Sequence, residues 1–119
     1  MRAPLILAAL LLLAHSAGAA TNRQIARGKG YAIEACSACH QVRPGQKPPP
    51  PVFDSNEQMD VIAPSFMQIA RTPGLDVKYL RKHITEPEWP MREQMLDEYY
   101  LQDIIAYIES LEPAGKEKR

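Results

Sequence analysis

The chain has 119 residues, enough for one domain with a modest core, and its 14 basic and 14 acidic residues balance. It contains no basic patch with interleaved aromatic residues, so nucleic acid is not an expected partner. Both cysteines lie within one pentapeptide, CSACH at residues 36–40, which excludes the framework of several disulfides found in many small exported domains.

The N-terminus predicts a cleaved secretory signal peptide at residues 1–19. It reads MRAPLILAALLLLAHSAGAA: a basic residue, an apolar run over residues 4–14, and small residues that end in an Ala-Gly-Ala cleavage site. The apolar run is shorter than the about 20 residues of a comfortable membrane span, although an uncleaved membrane anchor is the alternative. We therefore expect a periplasmic domain over residues 20–119, with no membrane contact after cleavage.

The first helix is predicted over residues 22–36, with Thr21 or Asn22 as its N-cap. Gly28 and Gly30 interrupt its pattern and each cost about 1 kcal/mol relative to Ala, which indicates that a close approach is needed there. A loop follows from residue 41, and the proline run at residues 48–51 is expected to be extended and exposed.

Three further helices are predicted after this loop. Ser65 is expected to cap a helix that ends at residue 70, and Asp76 a helix over residues 77–85 that a proline-bounded loop stops. Asp97 is expected to cap the last helix, which ends near residue 112 before a polar tail at residues 114–119. This helix carries an apolar stripe of Leu101, Ile104, Ile105, Ile108 and Leu111. No strand pattern is evident, so an all-α domain of four or five short helices is predicted, with a large apolar ligand at its centre.

The CSACH pentapeptide follows the predicted first helix directly. Because residues three and four apart lie on one helix face, Cys36, Cys39 and His40 can project together. Cys-x-x-Cys-His is the attachment signature of c-type haem, in which the two thiols form thioethers and the histidine ligates iron. A redox dithiol needs a βαβ context that the pattern does not show, and a structural zinc site needs four ligands. The sequence therefore predicts one covalent haem c with His40 as an iron ligand.

With these residues in view, the mature chain resembles the small single-haem class I cytochromes c of bacterial periplasms. ARGKGYAIEACSACH resembles the family's first helix and haem motif, APSF the segment beside the proximal histidine, and PM followed by QDIIAYIESL the distal loop and closing helix. The resemblance implies a cytochrome c-like fold around the haem. It also implies that Gly28 lets the first and last helices cross against Tyr107, and that the Pro64 carbonyl accepts a hydrogen bond from His40. The proline run places Pro64 further along the chain from His40 than in compact members.

The resemblance implies Met91 as the second iron ligand. This residue follows a proline and precedes Tyr107 by sixteen residues. Met95, which we expect to pack beside the haem, His83 and an open site are the alternatives, because thioether and imidazole both ligate haem iron. Trp89 is expected either to donate its indole N–H to a haem propionate or to anchor the loop.

If both axial positions are filled, the iron has no place for a substrate. We therefore expect a monomeric electron carrier, or the electron-accepting subunit of an oxidoreductase complex, and not an enzyme in itself. Its partners would be redox proteins docked transiently, with the proline run facing one of them. A haem-based sensor of small ligands or a weak peroxidase with an open or labile sixth site is the alternative, and an exported dithiol protein is a third.

Overall fold

The computed structural model describes residues 19–112. Over this range the elements are α1 (Asn22–Cys36), β1 (Val52–Asp54), β2 (Met59–Val61), α2 (Phe66–Ala70), α3 (Val77–Thr85) and α4 (Glu98–Ser110). The predicted signal peptide, apart from its last residue, and the predicted polar tail lie outside the described residues. No helix in the described range is both long enough and apolar enough to cross a membrane. The predicted predominantly helical fold is confirmed.

Three of the four helices begin at the side-chain caps that the sequence predicts. The Thr21 hydroxyl accepts a hydrogen bond from the Gln24 backbone N–H, and the Asp76 carboxylate accepts one from the Tyr79 N–H. Ser65 forms a reciprocal capping box with the residue three positions later. Asp97 occupies the N-cap position of α4, but its side chain makes no capping hydrogen bond. The predicted capping interaction is therefore wrong for α4, although its start is correct.

The contact between α1 and α4 depends on Gly28. A Cβ atom at this residue would lie 1.8 Å from the carbonyl oxygen of Asp103 and 2.9 Å from the Cβ of Tyr107. Gly30, in the same helix, has nothing within 4 Å of the corresponding position. The predicted close crossing at Gly28, with Tyr107 against it, is therefore confirmed, whereas Gly30 serves no such approach.

An ion pair between the partly exposed Arg27 and the buried Asp103 joins α1 to α4 at the same crossing. The Arg27 guanidinium donates to both carboxylate oxygens of Asp103, at 2.7 and 3.2 Å, and Asp103 is 2% exposed. The hydrogen bond to Asp103 raises the pKa of Arg27, against a smaller opposing effect of desolvation. The guanidinium also lies 5.0 Å from the centre of the Tyr99 ring. Nothing in the sequence pattern predicted this ion pair.

A short antiparallel hairpin of β1 and β2 corrects the prediction that the chain has no strand. Val52 pairs with Val61, and Phe53 with Asp60. The buried Asp54 carboxylate closes the turn, because one of its oxygens accepts from two backbone N–H groups, at 2.8 and 3.3 Å. Each strand has only three residues and neither alternates cleanly, so the period of two was too short to recognise.

Candidate functional site

A cavity of about 760 Å³ lies at the centre of the described structure. Its size is within the range of about 300–1,000 Å³ usual for cofactor and ligand sites, and its wall is mostly apolar. The wall takes residues from every helix and both strands, including Cys36, Cys39, His40, Val52, Val61, Phe66, Ile69, Leu80, His83, Met91, Ile104 and Ile108. The short predicted helices implied a large apolar ligand at the centre of the domain, and this cavity provides a space for it.

The CSACH pentapeptide leaves the end of α1 as one continued turn. The Cys36 carbonyl accepts from the backbone N–H groups of Cys39 and His40, at 3.3 and 2.9 Å. Both cysteines are free thiols, and all three side chains line the cavity. The structure thus brings together the three residues that the sequence selected for the haem site.

The imidazole of His40 is fixed by a hydrogen bond from the far end of the intervening loop. Its Nδ1 lies 2.7 Å from the Pro64 carbonyl oxygen. Because a carbonyl can only accept, Nδ1 carries the proton, and Nε2 of the neutral ring is left with a free lone pair. The Phe66 ring packs 5.6 Å from the imidazole, centre to centre. The predicted contact with Pro64 is confirmed despite a separation of 24 residues along the chain.

A hydrogen bond from α4 fixes the chain just after the pentapeptide. The buried Tyr107 hydroxyl donates to the Val42 carbonyl at 2.6 Å, and Val42 itself is completely buried. Burial raises the pKa of Tyr107. Sequence reasoning placed Tyr107 at the helix crossing but missed this bond, which links the crossing directly to the site.

The Cys36 thiol is not in the environment of an activated redox cysteine. Burial, followed by the nearby charge of Cys39, raises the pKa of Cys36 to about 11. Reactive cysteines of redox motifs instead have a lowered pKa, which keeps the thiolate available.

Among residues 19–112, no cluster of three or more His, Cys, Asp or Glu side chains could hold a metal ion. Two thiols and one anchored imidazole in an apolar cavity fit a covalently bound haem, whose vinyl groups take the thiols and whose iron takes the imidazole.

Met91, Met95 and His83 are the three residues considered as the sixth iron ligand, and two of them lie in the cavity wall. Met91 is half-buried there, in an irregular loop, and its backbone N–H donates to the Glu88 carbonyl at 3.1 Å. His83 also lines the wall from α3, with its Nδ1 2.9 Å from the Tyr79 carbonyl oxygen. Met95 is 98% exposed and lies outside the wall, so the prediction that it packs beside the haem is wrong.

Trp89 precedes the loop methionine by two residues and is 46% exposed. It lies outside the cavity wall, although its neighbours on both sides belong to it.

Comparison with known proteins places the geometry in a family. A family model described as Cytochrome c matches residues 25–112. Among solved structures, the chain is similar to the c-type cytochrome SorU from Sinorhizobium meliloti, at 15% sequence identity and a TM-score of 0.51. The match covers 77% of this chain and 94% of that chain, and at this identity it shows the fold alone. No curated protein matches the chain.

Proposed function

The chain belongs to the cytochrome c family, and on that premise we propose that it is a periplasmic electron carrier whose iron is ligated by His40 and Met91. The family carries a covalently attached haem c, which supplies reversible one-electron chemistry at its iron. Its members are haem-based electron-transfer proteins that interact with redox partners. Beyond the family assignment, we propose the haem-attachment residues, the sixth iron ligand, the compartment and the kind of partner.

The observation that carries the proposal is the turn at the end of α1. It directs Cys36, Cys39 and His40 into one apolar cavity, where the two thiols would form the thioethers and the imidazole would bind the iron. The Pro64 carbonyl fixes the ring and leaves Nε2 as the ligating nitrogen, and such a bond also raises ligand basicity. The buried side chains of Phe66, Ile104 and Ile108 line this side of the cavity.

Met91 is proposed as the sixth ligand because it lines the cavity wall from the loop after Pro90, where the family resemblance implies the second iron ligand. A histidine and methionine pair raises the reduction potential of a haem, as suits an electron carrier. Coordination at both axial positions also removes the open site that a small-ligand sensor or peroxidase requires.

The test is an absorption spectrum of protein exported together with the haem-attachment machinery. Oxidised wild type is expected to show the weak long-wavelength sulfur-to-iron band, and Met91→Ala to lack it. Met95→Ala is the matched control, because Met95 is exposed and outside the wall. His83→Ala examines the other candidate in the wall.

A band that survives in Met91→Ala, or that is missing from wild type, would show that the sixth ligand lies elsewhere. If the reduced wild-type protein also bound carbon monoxide rapidly, the sixth site would be open, and the sensor or weak peroxidase function would replace the carrier. Export is tested separately by the N-terminal residue of the periplasmic protein, which is expected to be Ala20.

A further inference from the structure

The side chain of Gln46 folds back onto the chain that follows the haem-attachment turn. Its amide oxygen Oε1 accepts a hydrogen bond from the Val42 backbone N–H at 2.9 Å, and its Nε2 donates to the His40 carbonyl at 3.3 Å. The carbonyl can only accept and the backbone N–H can only donate, so these contacts fix which end of the amide faces which group. One side chain therefore bonds a backbone acceptor and a backbone donor that are two residues apart.

A tight turn brings Gln46 to this position. The Gln46 N–H donates to the Arg43 carbonyl at 3.3 Å, and Gly45 has a φ of +76°, in the left-handed region that favours glycine. The side chain of Gln41 donates to the Gln46 carbonyl at 2.9 Å. Because these contacts hold the backbone of Gln46, its amide is kept within reach of the chain that it bonds.

The other two carbonyls of residues 40–42 are bonded from helices. The Phe66 N–H, at the start of α2, donates to the first of them at 2.9 Å, and the Tyr107 hydroxyl of α4 donates to the second at 2.6 Å. The His40 carbonyl is bonded instead by a loop side chain, that of Gln46. A substitution of Gln46 can therefore release the His40 carbonyl and leave both helix contacts in place.

These bonds hold His40 at both ends of its side chain. The ring is held through Nδ1, which lies 2.7 Å from the Pro64 carbonyl oxygen. At the other end, the His40 N–H donates to the Cys36 carbonyl at 2.9 Å, and the His40 carbonyl accepts from Gln46. Two rotatable bonds separate the backbone from the ring, so the plane of the ring is defined only when both ends are fixed.

We propose that Gln46 is a positioning residue for the iron ligand: its amide fixes the backbone of His40 and thereby the plane of the imidazole. The proposal rests on the haem ligation by His40 proposed above. Gln46 lies outside the cavity wall, so it acts through His40 and not on the haem itself. Hydrogen bonds one step removed from a metal orient its ligands and tune its properties.

The test is the proton NMR spectrum of the oxidised haem protein. The shifts of the four haem methyl groups depend on the orientation of the axial ligand planes, so they report the direction of the imidazole and not the stability of the fold. Gln46→Met keeps the length of the side chain and removes both hydrogen bonds. Gln46→Glu keeps an acceptor for the Val42 N–H and removes the donor to His40. Both variants are expected to change the pattern of methyl shifts.

The reduction equilibrium gives a second measurement on Gln46→Met. One electron passes from hexaammineruthenium(II) to Fe(III), which gives ruthenium(III) and Fe(II), and no bond forms or breaks. A less constrained ring bonds the Pro64 carbonyl less well, which lowers the basicity of the imidazole and its preference for Fe(III). The ratio of Fe(II) to Fe(III) at a fixed mediator ratio should therefore rise about threefold, a factor at the lower end of the net worth of one hydrogen bond.

Gln58→Met and Gln58→Glu are the matched controls. Gln58 donates its amide to the Ser55 carbonyl at 2.6 Å in the exposed turn of the hairpin, and it lies outside the cavity wall. These variants remove the same kind of bond and add the same charge at a site without contact to His40. Both should keep the wild-type pattern of methyl shifts.

Wild-type methyl shifts in both Gln46 variants would overturn the positioning role, even if guanidinium denaturation showed that the variants were less stable. A change in Gln46→Met alone would assign the effect to the Val42 bond and overturn the role of the His40 bond. Equal changes in the Gln58 controls would overturn it as well. Wild-type protein that acquired no covalent haem would instead refute the haem site on which the proposal rests.

Discussion

Replacing Gly28 by alanine should disrupt the crossing of α1 and α4. The new Cβ would lie 1.8 Å from the carbonyl oxygen and 2.5 Å from the carbonyl carbon of Asp103. Both atoms belong to the backbone of α4, so no side chain can rotate to make room. The helices would have to separate by about 1.5 Å to restore an ordinary contact distance of 3.4 Å or more.

This separation would weaken the packing of the apolar residues along the crossing. A gap of about 0.5–1 Å already loses a quarter to a half of the dispersion energy of a contact, and overpacking typically costs about 1–3 kcal/mol. Alanine returns about 1 kcal/mol through its higher helix propensity. Because the overlap is with rigid backbone, we expect the upper end of that cost, so that Gly28→Ala lowers the free energy of unfolding by about 2 kcal/mol after the propensity gain.

Guanidinium denaturation followed by far-ultraviolet circular dichroism measures this change. Gly30→Ala is the matched control, because the same methyl group in the same helix meets nothing within 4 Å. It should stabilise the protein by about 0.5–1 kcal/mol. A Gly28→Ala variant as stable as wild type, or a Gly30→Ala variant equally damaged, would refute the argument from close backbone approach.

Three further predictions concern groups that α4 buries. Tyr107→Phe should lower the free energy of unfolding by about 1–2 kcal/mol, because it leaves a buried carbonyl without its donor. Burial raises the pKa of Tyr107. The contribution of Tyr107 to folding stability should therefore be complete below pH about 10, its ordinary pKa, and should be lost as the pH rises through its folded-state pKa. The free energy of unfolding measured against pH should show this loss in wild type and less of it in Tyr107→Phe. Asp103→Ala, which removes the buried partner of Arg27, should lower the denaturation midpoint, whereas Glu98→Ala, which breaks the exposed pair with Arg81, should change it little.

Each of these predictions has an outcome that contradicts it. Equal stability of Tyr107→Phe and wild type would mean that water replaces the hydroxyl without cost. The same alkaline loss in both proteins would assign that loss to other groups. Similar denaturation midpoints for Asp103→Ala and Glu98→Ala would show that the burial of Asp103 does not make its ion pair more stabilising than the exposed pair.

The helix starts could be predicted because their determinants are local. Thr21, Ser65 and Asp76 each act on a backbone N–H three residues later, and this distance is visible in a sequence. The haem motif is local for the same reason, since its three residues fall within one turn. The Pro64 contact was found only because a resemblance linked two distant segments.

The features that the sequence did not reveal depend on tertiary contact. Arg27 and Asp103 are 76 residues apart, and nothing in either local pattern indicates that they pair. One signal was available: Asp103 is a charged residue within the apolar run of α4, and a buried charge in such a position needs a partner. For the sixth ligand, the geometry removes Met95 but leaves both Met91 and His83 in the wall, because an irregular loop and a helix approach the same space.

The two ends of the segment between His40 and Phe66 are held together. The His40 imidazole bonds the Pro64 carbonyl at 2.7 Å, and the Phe66 N–H donates to the Gln41 carbonyl at 2.9 Å. Doubling the length of a loop whose ends are fixed in this way costs only about 0.6 kcal/mol in closure entropy. The orientation of the imidazole is therefore insulated from the length and content of the segment from residue 47 onward. Provided that Val52 and Val61 still complete the cavity wall, the outward-facing residues of this segment can therefore differ between relatives without turning the His40 imidazole.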